Sequence, residues 1–256
     1  MFKAIRITVL LFILFFVSVS TWLSQARSTD WSDSLWVKIY PINGDGSVVS
    51  RDYIERLKLE DFEDIEVFIQ RETERFGHSI ARPVRIELGE AISEQPPVMS
   101  ANPNLLDVML WSVRMRWWAS GITDDQDRID PDVRIFVRYH APRDHVVLEN
   151  SVGLQKGMVG VVNAYASRRL AGSNNVIVAH EFLHTLGATD KYDPATGAPL
   201  YPTGFAEPDR EPRFPQRYAE IMGGRIPIKE DDADIPSSLR YAIIGDLTAN
   251  EIRLTD

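Results

Sequence analysis

The chain has no cysteine among its 256 residues, which removes thiol nucleophiles, disulfide staples and cysteine metal ligands together. Histidine is scarce as well. With only five, any functional imidazole must be one of His78, His140, His145, His180 and His184. Basic residues are outnumbered, 28 against 37 acidic, and the net charge of −9 argues against a nucleic-acid partner, because neutralising phosphates needs a basic face. The acidity favours solubility instead. No segment repeats. A hydrophobic content of 44% is enough to bury one core of moderate size.

Apolar residues run from Ile7 to Val19 and continue weakly through Thr21, Trp22 and Leu23, behind the basic Lys3 and Arg6. A positive flank followed by such a run is an export signal rather than part of the fold. Ser24, Gln25 and Ala26 make a passable cleavage site, yet the run is also just long enough to span a bilayer. Residues 1–26 are therefore expected to be a signal peptide or, on balance, an uncleaved signal anchor. Either way the positive flank stays cytoplasmic, and residues 30–256 are exported to the periplasm or exterior.

Two of the five histidines stand four apart. His180, Glu181, Phe182, Leu183 and His184 spell HExxH, within an apolar stretch from Asn174 to Leu186 that the spacing predicts to be a mostly buried helix. Ser173 or Asn174 is placed to cap its start and Gly187 to end it. On a helix, positions i and i+4 share a face, so both imidazoles reach one metal ion, while Glu181, offset by roughly 100°, stands beside it. A carboxylate there can take a proton from an activated water. Past the helix, Gly187 permits a sharp turn that would return Asp190 to the metal as a third ligand. Asp193, in the same TDKYD run, is its rival; otherwise Asp190 would orient a ligating histidine. His78, His140 and His145 have no ligand spacing and read as structural or exposed. The acidic run from Asp124 to Asp132 lacks the glycine and terminal glutamate of a calcium loop and reads as solvated.

The extended pattern HExxHxxGxxD resembles the metzincin clan of zinc metallopeptidases, in which HExxHxxGxx precedes a third ligand and, further on, a methionine turn. The usual third ligand there is histidine, and Asp190 departs from it in the manner of the snapalysin type. Ala219 to Gly224 reads AEIMGG, with Met222 in the place of the turn methionine. The resemblance covers about residues 159–224. It implies an α+β, zincin/metzincin-like fold: a mixed sheet with backing helices, an active-site helix below it, and a smaller C-terminal helical subdomain, dividing the catalytic domain at about 34–188 and 189–256. It also implies one zinc per chain on His180, His184 and Asp190, Glu181 as the base, and a peptide or protein substrate. By the same resemblance the strand before the motif helix lies at the sheet edge, where Val159, Gly160 and Val161 would pair with an extended peptide. The alternative for Gly160, as for Gly157, is a bulge or crowding within the sheet. Tyr192 and Tyr218 fall near the expected site as candidate hydrogen-bond donors to a developing oxyanion. A reading from a different class is an envelope interaction protein whose zinc site is structural or inactive, closed by Asp193 or Glu207. Glu181 argues against it, since a structural site has no need of a carboxylate there. Hydrolysis of a non-peptide amide would share all the chemistry.

The remaining elements follow from periodicity. Residues 35–42, 83–88, 132–139 and 157–165 read as strands. Residues 50–76 read as one helix or as two with a break near Leu59 to Asp61, and residues 104–120 as another whose Trp111, Trp117 and Trp118 are expected to pack. Six prolines between Asp193 and Pro215 predict an extended loop. The run SLRYAIIGDL from Ser238, with a capping box at Thr248 and Glu251, predicts closing helices.

Overall fold

The computed structural model describes residues 30–99, 104–122, 130–142, 151–155 and 158–255, together with Arg6 and Phe12. Apart from Arg6 and Phe12, the N-terminal segment read as an export signal lies outside the described residues, as do Gly157, His145 and most of the acidic run. Among the described residues, no helix is long and apolar enough to cross a membrane.

The protein is α+β, built on a five-stranded mixed sheet of β1 (Leu35–Asn43), β2 (Val84–Leu88), β3 (Val133–His140), β4 (Val152–Leu154) and β5 (Val159–Tyr165), in the order β2-β1-β3-β5-β4. β1 pairs in parallel with β2 and β3, β3 in parallel with β5, and only β4 runs antiparallel, against β5. β1 is buried along nearly its whole length, as expected of a central strand covered on both faces. Among the described residues five α-helices accompany the sheet: α1 (Val48–Ile54), α2 (Glu63–Arg75), α3 (Leu105–Gly121), α4 (Ala171–Leu186) and α5 (Asp246–Glu251).

On one face, Val37, Ile39, Ile135, Val137 and Val162 meet Phe68 and Ile69 of α2 and Ala179, Phe182 and Leu183 of α4. On the other, α3 lays Trp111, Met115 and Ala119 against Tyr40, Ile42 and Phe136. The expected break in the first helical stretch is real, a 3-10 turn at Leu59–Phe62. Of the three tryptophans of α3, Trp111 is buried and Trp118 sits 4.5 Å from the Phe136 ring, but Trp117 is 80% exposed and packs on nothing in the core.

The C-terminal part differs from expectation. Instead of closing helices it has a 3-10 turn at Leu239–Tyr241, two pairs of short strands, two isolated bridges, and the six-residue α5. β6 (Ala219–Glu220) pairs in parallel with β9 (Ala242–Ile243), and β7 (Ile226–Lys229) forms a hairpin with β8 (Asp232–Asp234). The cause is Glu220, fully buried, whose carboxylate accepts from the N–H groups of Gly223 and Gly245 and from the Thr248 hydroxyl. Those bonds take Thr248 away from the predicted capping box and hold residues 242–245 extended. Ile221, Met222, Ala242, Ile244, Ile252 and Leu254 join the same core as Trp31 and β1, so this part shares the main core.

Candidate metal centre

The motif helix starts earlier than expected. Residue 170 precedes it without a side-chain cap, while the Asn174 amide bonds both the N–H and the carbonyl of Tyr165, and the Ser173 hydroxyl donates to the Pro236 carbonyl. These bonds fix α4 against the end of β5. Gly187 ends the helix as the spacing predicts, at φ 112°, a left-handed conformation that glycine adopts without strain. The chain then doubles back.

That reversal brings three side chains together. Nε2 of His180 and Nε2 of His184 each lie 3.1 Å from the same oxygen, Oδ1 of Asp190. On the far side of each ring, Nδ1 lies 2.9 Å from the Ile221 carbonyl for His180 and 2.8 Å from the Ala188 carbonyl for His184. A carbonyl only accepts, so each Nδ1 carries the proton, and in the neutral ring each Nε2 presents a bare lone pair. Two imidazole nitrogens and a carboxylate oxygen thus converge, an arrangement that calls for positive charge between them, carried by protons on the Nε2 atoms or by a bound cation. The same demand acts on the ionisable groups. Burial presses the His180 imidazole down, but the carboxylates of Asp190 and Glu181 outweigh it and raise it, whereas Asp190, despite burial, is held well below the usual carboxylate range by the two imidazoles. His180, Glu181 and His184 offer ligand atoms that lie within 4.8 Å of one another and could hold a metal ion. The site opens outward at Asp190, whose side chain is 44% exposed against 11% for His180 and 16% for His184.

Glu181 stands apart from this trio in one respect. It is 5% exposed, and its Oε2 has no hydrogen-bond partner. Burial raises its carboxyl above the ordinary value. An unpartnered buried carboxylate oxygen beside three converging ligand atoms fits a metal-and-water site better than a structural role, in which such atoms are satisfied.

Val159, Gly160 and Val161 are not at the sheet edge. β5 is paired on both sides, Gly160 with Ile135 of β3 and with Gly153 of β4, so the outer position belongs to β4. β4 crosses directly over the motif helix: a Cβ added at Gly153 would lie 2.4 Å from Cβ of His184 and 2.6 Å from the Glu181 carbonyl. Gly160 reflects crowding rather than a bulge, since its added Cβ would lie 2.7 Å from Ile135 Cδ1.

Met222 is fully buried in a turn whose neighbouring residue, Ile221, supplies the carbonyl that orients His180; its own carbonyl accepts from the N–H of Lys191, next to Asp190. Tyr192 is brought to the site. Its ring lies 6.2 Å from that of His180, and burial together with the nearby Asp190 and Glu181 carboxylates pushes its phenol up to about 12. The Tyr218 ring faces the Arg217 guanidinium at 5.8 Å, and among the described residues no hydrogen bond or ring contact joins it to either histidine. Asp193 is committed elsewhere, its carboxylate capping the N–H groups of Ala195 and Thr196 at 2.7 and 3.1 Å. Glu207 is held by the Arg217 side chain and backbone. Of the remaining histidines, His78 bonds the Leu254 carbonyl and His140 the Asn163 side chain.

Sequence reasoning passed over Lys191 and read Glu251 only as a capping partner of Thr248. Lys191 is 2% exposed, and its ammonium donates to the Thr189 carbonyl and to Glu251. Glu251 in turn accepts from the N–H and hydroxyl of Thr189. Nothing in the sequence marks a pair whose members stand 60 residues apart. A scan against models of known protein families finds no match, and a search of the curated proteins finds none either.

Proposed function

We propose that the protein is an exported or membrane-anchored zinc-dependent peptidase of metzincin-like fold, with His180, His184 and Asp190 as metal ligands and Glu181 as general base. One observation carries this reading: two imidazole Nε2 atoms and a carboxylate oxygen converge beside a buried carboxylate whose Oε2 is unpartnered. Two histidines and one carboxylate leave a position for water or substrate, as catalytic zinc requires. The Gly187 reversal, the Met222 turn beneath His180 and the single antiparallel outer strand support the metzincin-like arrangement.

Zinc bound there supplies a Lewis acid that polarises the scissile carbonyl and lowers the pKa of water towards about 7. The chain's own residues do the rest. Ile221 and Ala188 fix the ring orientation of the two histidines, so that both Nε2 atoms point inward. Glu181, raised by burial, accepts the proton of the attacking water and returns it to the leaving amine. Tyr192 stands beside Asp190 and can donate to the oxyanion.

The test is metal content and hydrolysis of a peptide library by the full chain. Glu181→Gln should keep one zinc per chain while hydrolysis falls by about 10²–10⁴-fold, and His184→Ala should lose both. Undiminished hydrolysis by Glu181→Gln would overturn the mechanism. An interaction module with a structural zinc needs a fourth protein ligand, yet the carboxylates of Asp193 and Glu207 are committed elsewhere. For such a module chelation would unfold the protein, whereas here it should abolish hydrolysis and leave the fold intact.

A further inference from the structure

Helix α3 is apolar on two sides. Its inner side is buried against the sheet face opposite α4. Its outer side carries Leu106, Met109, Leu110, Val113 and Trp117, each between 55% and 80% exposed. At 100° per residue these five fall within an arc of about 100°, with Arg114 on one flank and Arg116 on the other. The one acidic residue of the helix, Asp107, is occupied by the N–H of Asn104 at the N-terminus. A continuous apolar stripe of this kind marks a contact surface.

Its composition and position together indicate what covers it. A tryptophan among aliphatic side chains, flanked by arginines that can lay their stems along acyl chains while their guanidiniums reach phosphates, is the chemistry of a helix lying in a bilayer surface. The chain carries its own tether. Only six residues separate Leu23, at the end of the N-terminal apolar run, from Asp30, a reach over seven steps of at most ~25 Å. The described fold begins at Asp30, five residues ahead of β1, and α3 runs back toward the end of the sheet where β1 starts. Trp111, in its first half, donates to the Pro97 carbonyl, and nearby Gln95 donates to Asn43 at the opposite end of β1. Beyond its last residue the chain leads to Asp132, whose carboxylate accepts the N–H of Trp36 at the start of β1.

We propose that the outer face of α3 docks flat on the membrane into which the N-terminal apolar run inserts, with Trp117 nearest the tether. The metal centre, on the other face of the sheet, is then turned away from the lipid. This inference goes beyond the peptidase reading and does not depend on the metal site.

Because the chain lacks cysteine, single substitutions accept a spin label without competition. The full chain carrying Met109→Cys, Val113→Cys or, as a control on α1, Arg51→Cys is reconstituted into vesicles of phosphatidylcholine and phosphatidylglycerol. The ratio of oxygen to nickel-chelate collision rates should be several-fold higher at 109 and 113 than at 51. Equal ratios at the three positions would overturn the proposal. So would spin–spin broadening at 113 that disappears on dilution with unlabelled chain, because a second copy would then occupy the face.

Discussion

Glu181 and Asp190 are carboxylates of one site held in opposite conditions. Burial keeps the first above its ordinary value and free of partners, while the imidazoles of His180 and His184 keep the second ionised. This division suits a base and a ligand, respectively. The histidine pair was legible in the sequence because i, i+4 spacing leaves little freedom on a helix. Asp190 was legible only as one of two candidates, since spacing cannot tell which carboxylate the loop spends on itself. The loop spends Asp193, whose oxygen accepts two backbone N–H groups. Asp190→Ala should therefore weaken zinc binding by more than the roughly 10–100-fold typical of a residue that merely orients a ligand. Asp193→Ala should leave affinity within a few-fold of wild type. Competition with a zinc-sensitive dye measures both, and the reverse order would reassign the third ligand.

At the level of elements, periodicity located the long pieces and missed the short one nearest the site. Helices α2 and α3 and strands β1, β3 and β5 each span enough residues to display a repeat, but β4 has three, too few for any alternation to register. Its position over the motif helix is set by Gly153 rather than by hydrophobic pattern. The misread C-terminal helices have a related cause. Residues 239–243 look helical in isolation, yet only a 3-10 turn forms at Leu239–Tyr241, because pairing of Ala242 and Ile243 with β6 and the bonds that Glu220 demands hold residues 242–245 extended. Gly153→Ala places a methyl 2.4 Å from His184 Cβ, with backbone on its other side, so neither neighbour can yield cheaply. We expect about 1–3 kcal/mol of destabilisation, together with weaker zinc retention. Gly121→Ala, at the last residue of α3 with nothing within 4 Å of its added Cβ, should be neutral or slightly stabilising. Denaturant unfolding of the two variants measures the contrast, and equal effects would show that β4 is free to shift off α4.

The whole molecule is closed by contacts between parts distant in sequence. Trp31, at the start of the described fold, donates its indole N–H to the Ile252 carbonyl, just past α5. One residue earlier, Glu251 reaches the loop that carries Asp190, accepting from Thr189 and from the buried Lys191. The last helix therefore pins the candidate third ligand, a link invisible in sequence because it joins residues with no local relation. Glu251→Gln leaves the Lys191 ammonium buried without its counter-charge. The cost should be about 2 kcal/mol at neutral pH, less than for a fully buried pair because the Glu251 side chain keeps 20% of its surface in water. The pH dependence has a definite sign. Burial alone would raise the Glu251 carboxyl, but Lys191 and Thr189 outweigh it and hold it below the ordinary 4.5. A carboxyl lowered on folding stabilises the protein above its unfolded value, and that contribution is lost as pH falls through the folded one. Glu220, raised by burial, works in the opposite direction but is common to wild type and variant, so it cancels in their difference. The stability gap between wild type and Glu251→Gln should thus be full at neutral pH and close progressively below about 4.5. Urea unfolding followed by tryptophan fluorescence, with chelator present throughout to keep metal linkage out of the comparison, measures that gap. A gap that stays constant into the acid range would mean that Glu251 acts through shape alone and that its charge has no part in holding the ligand loop.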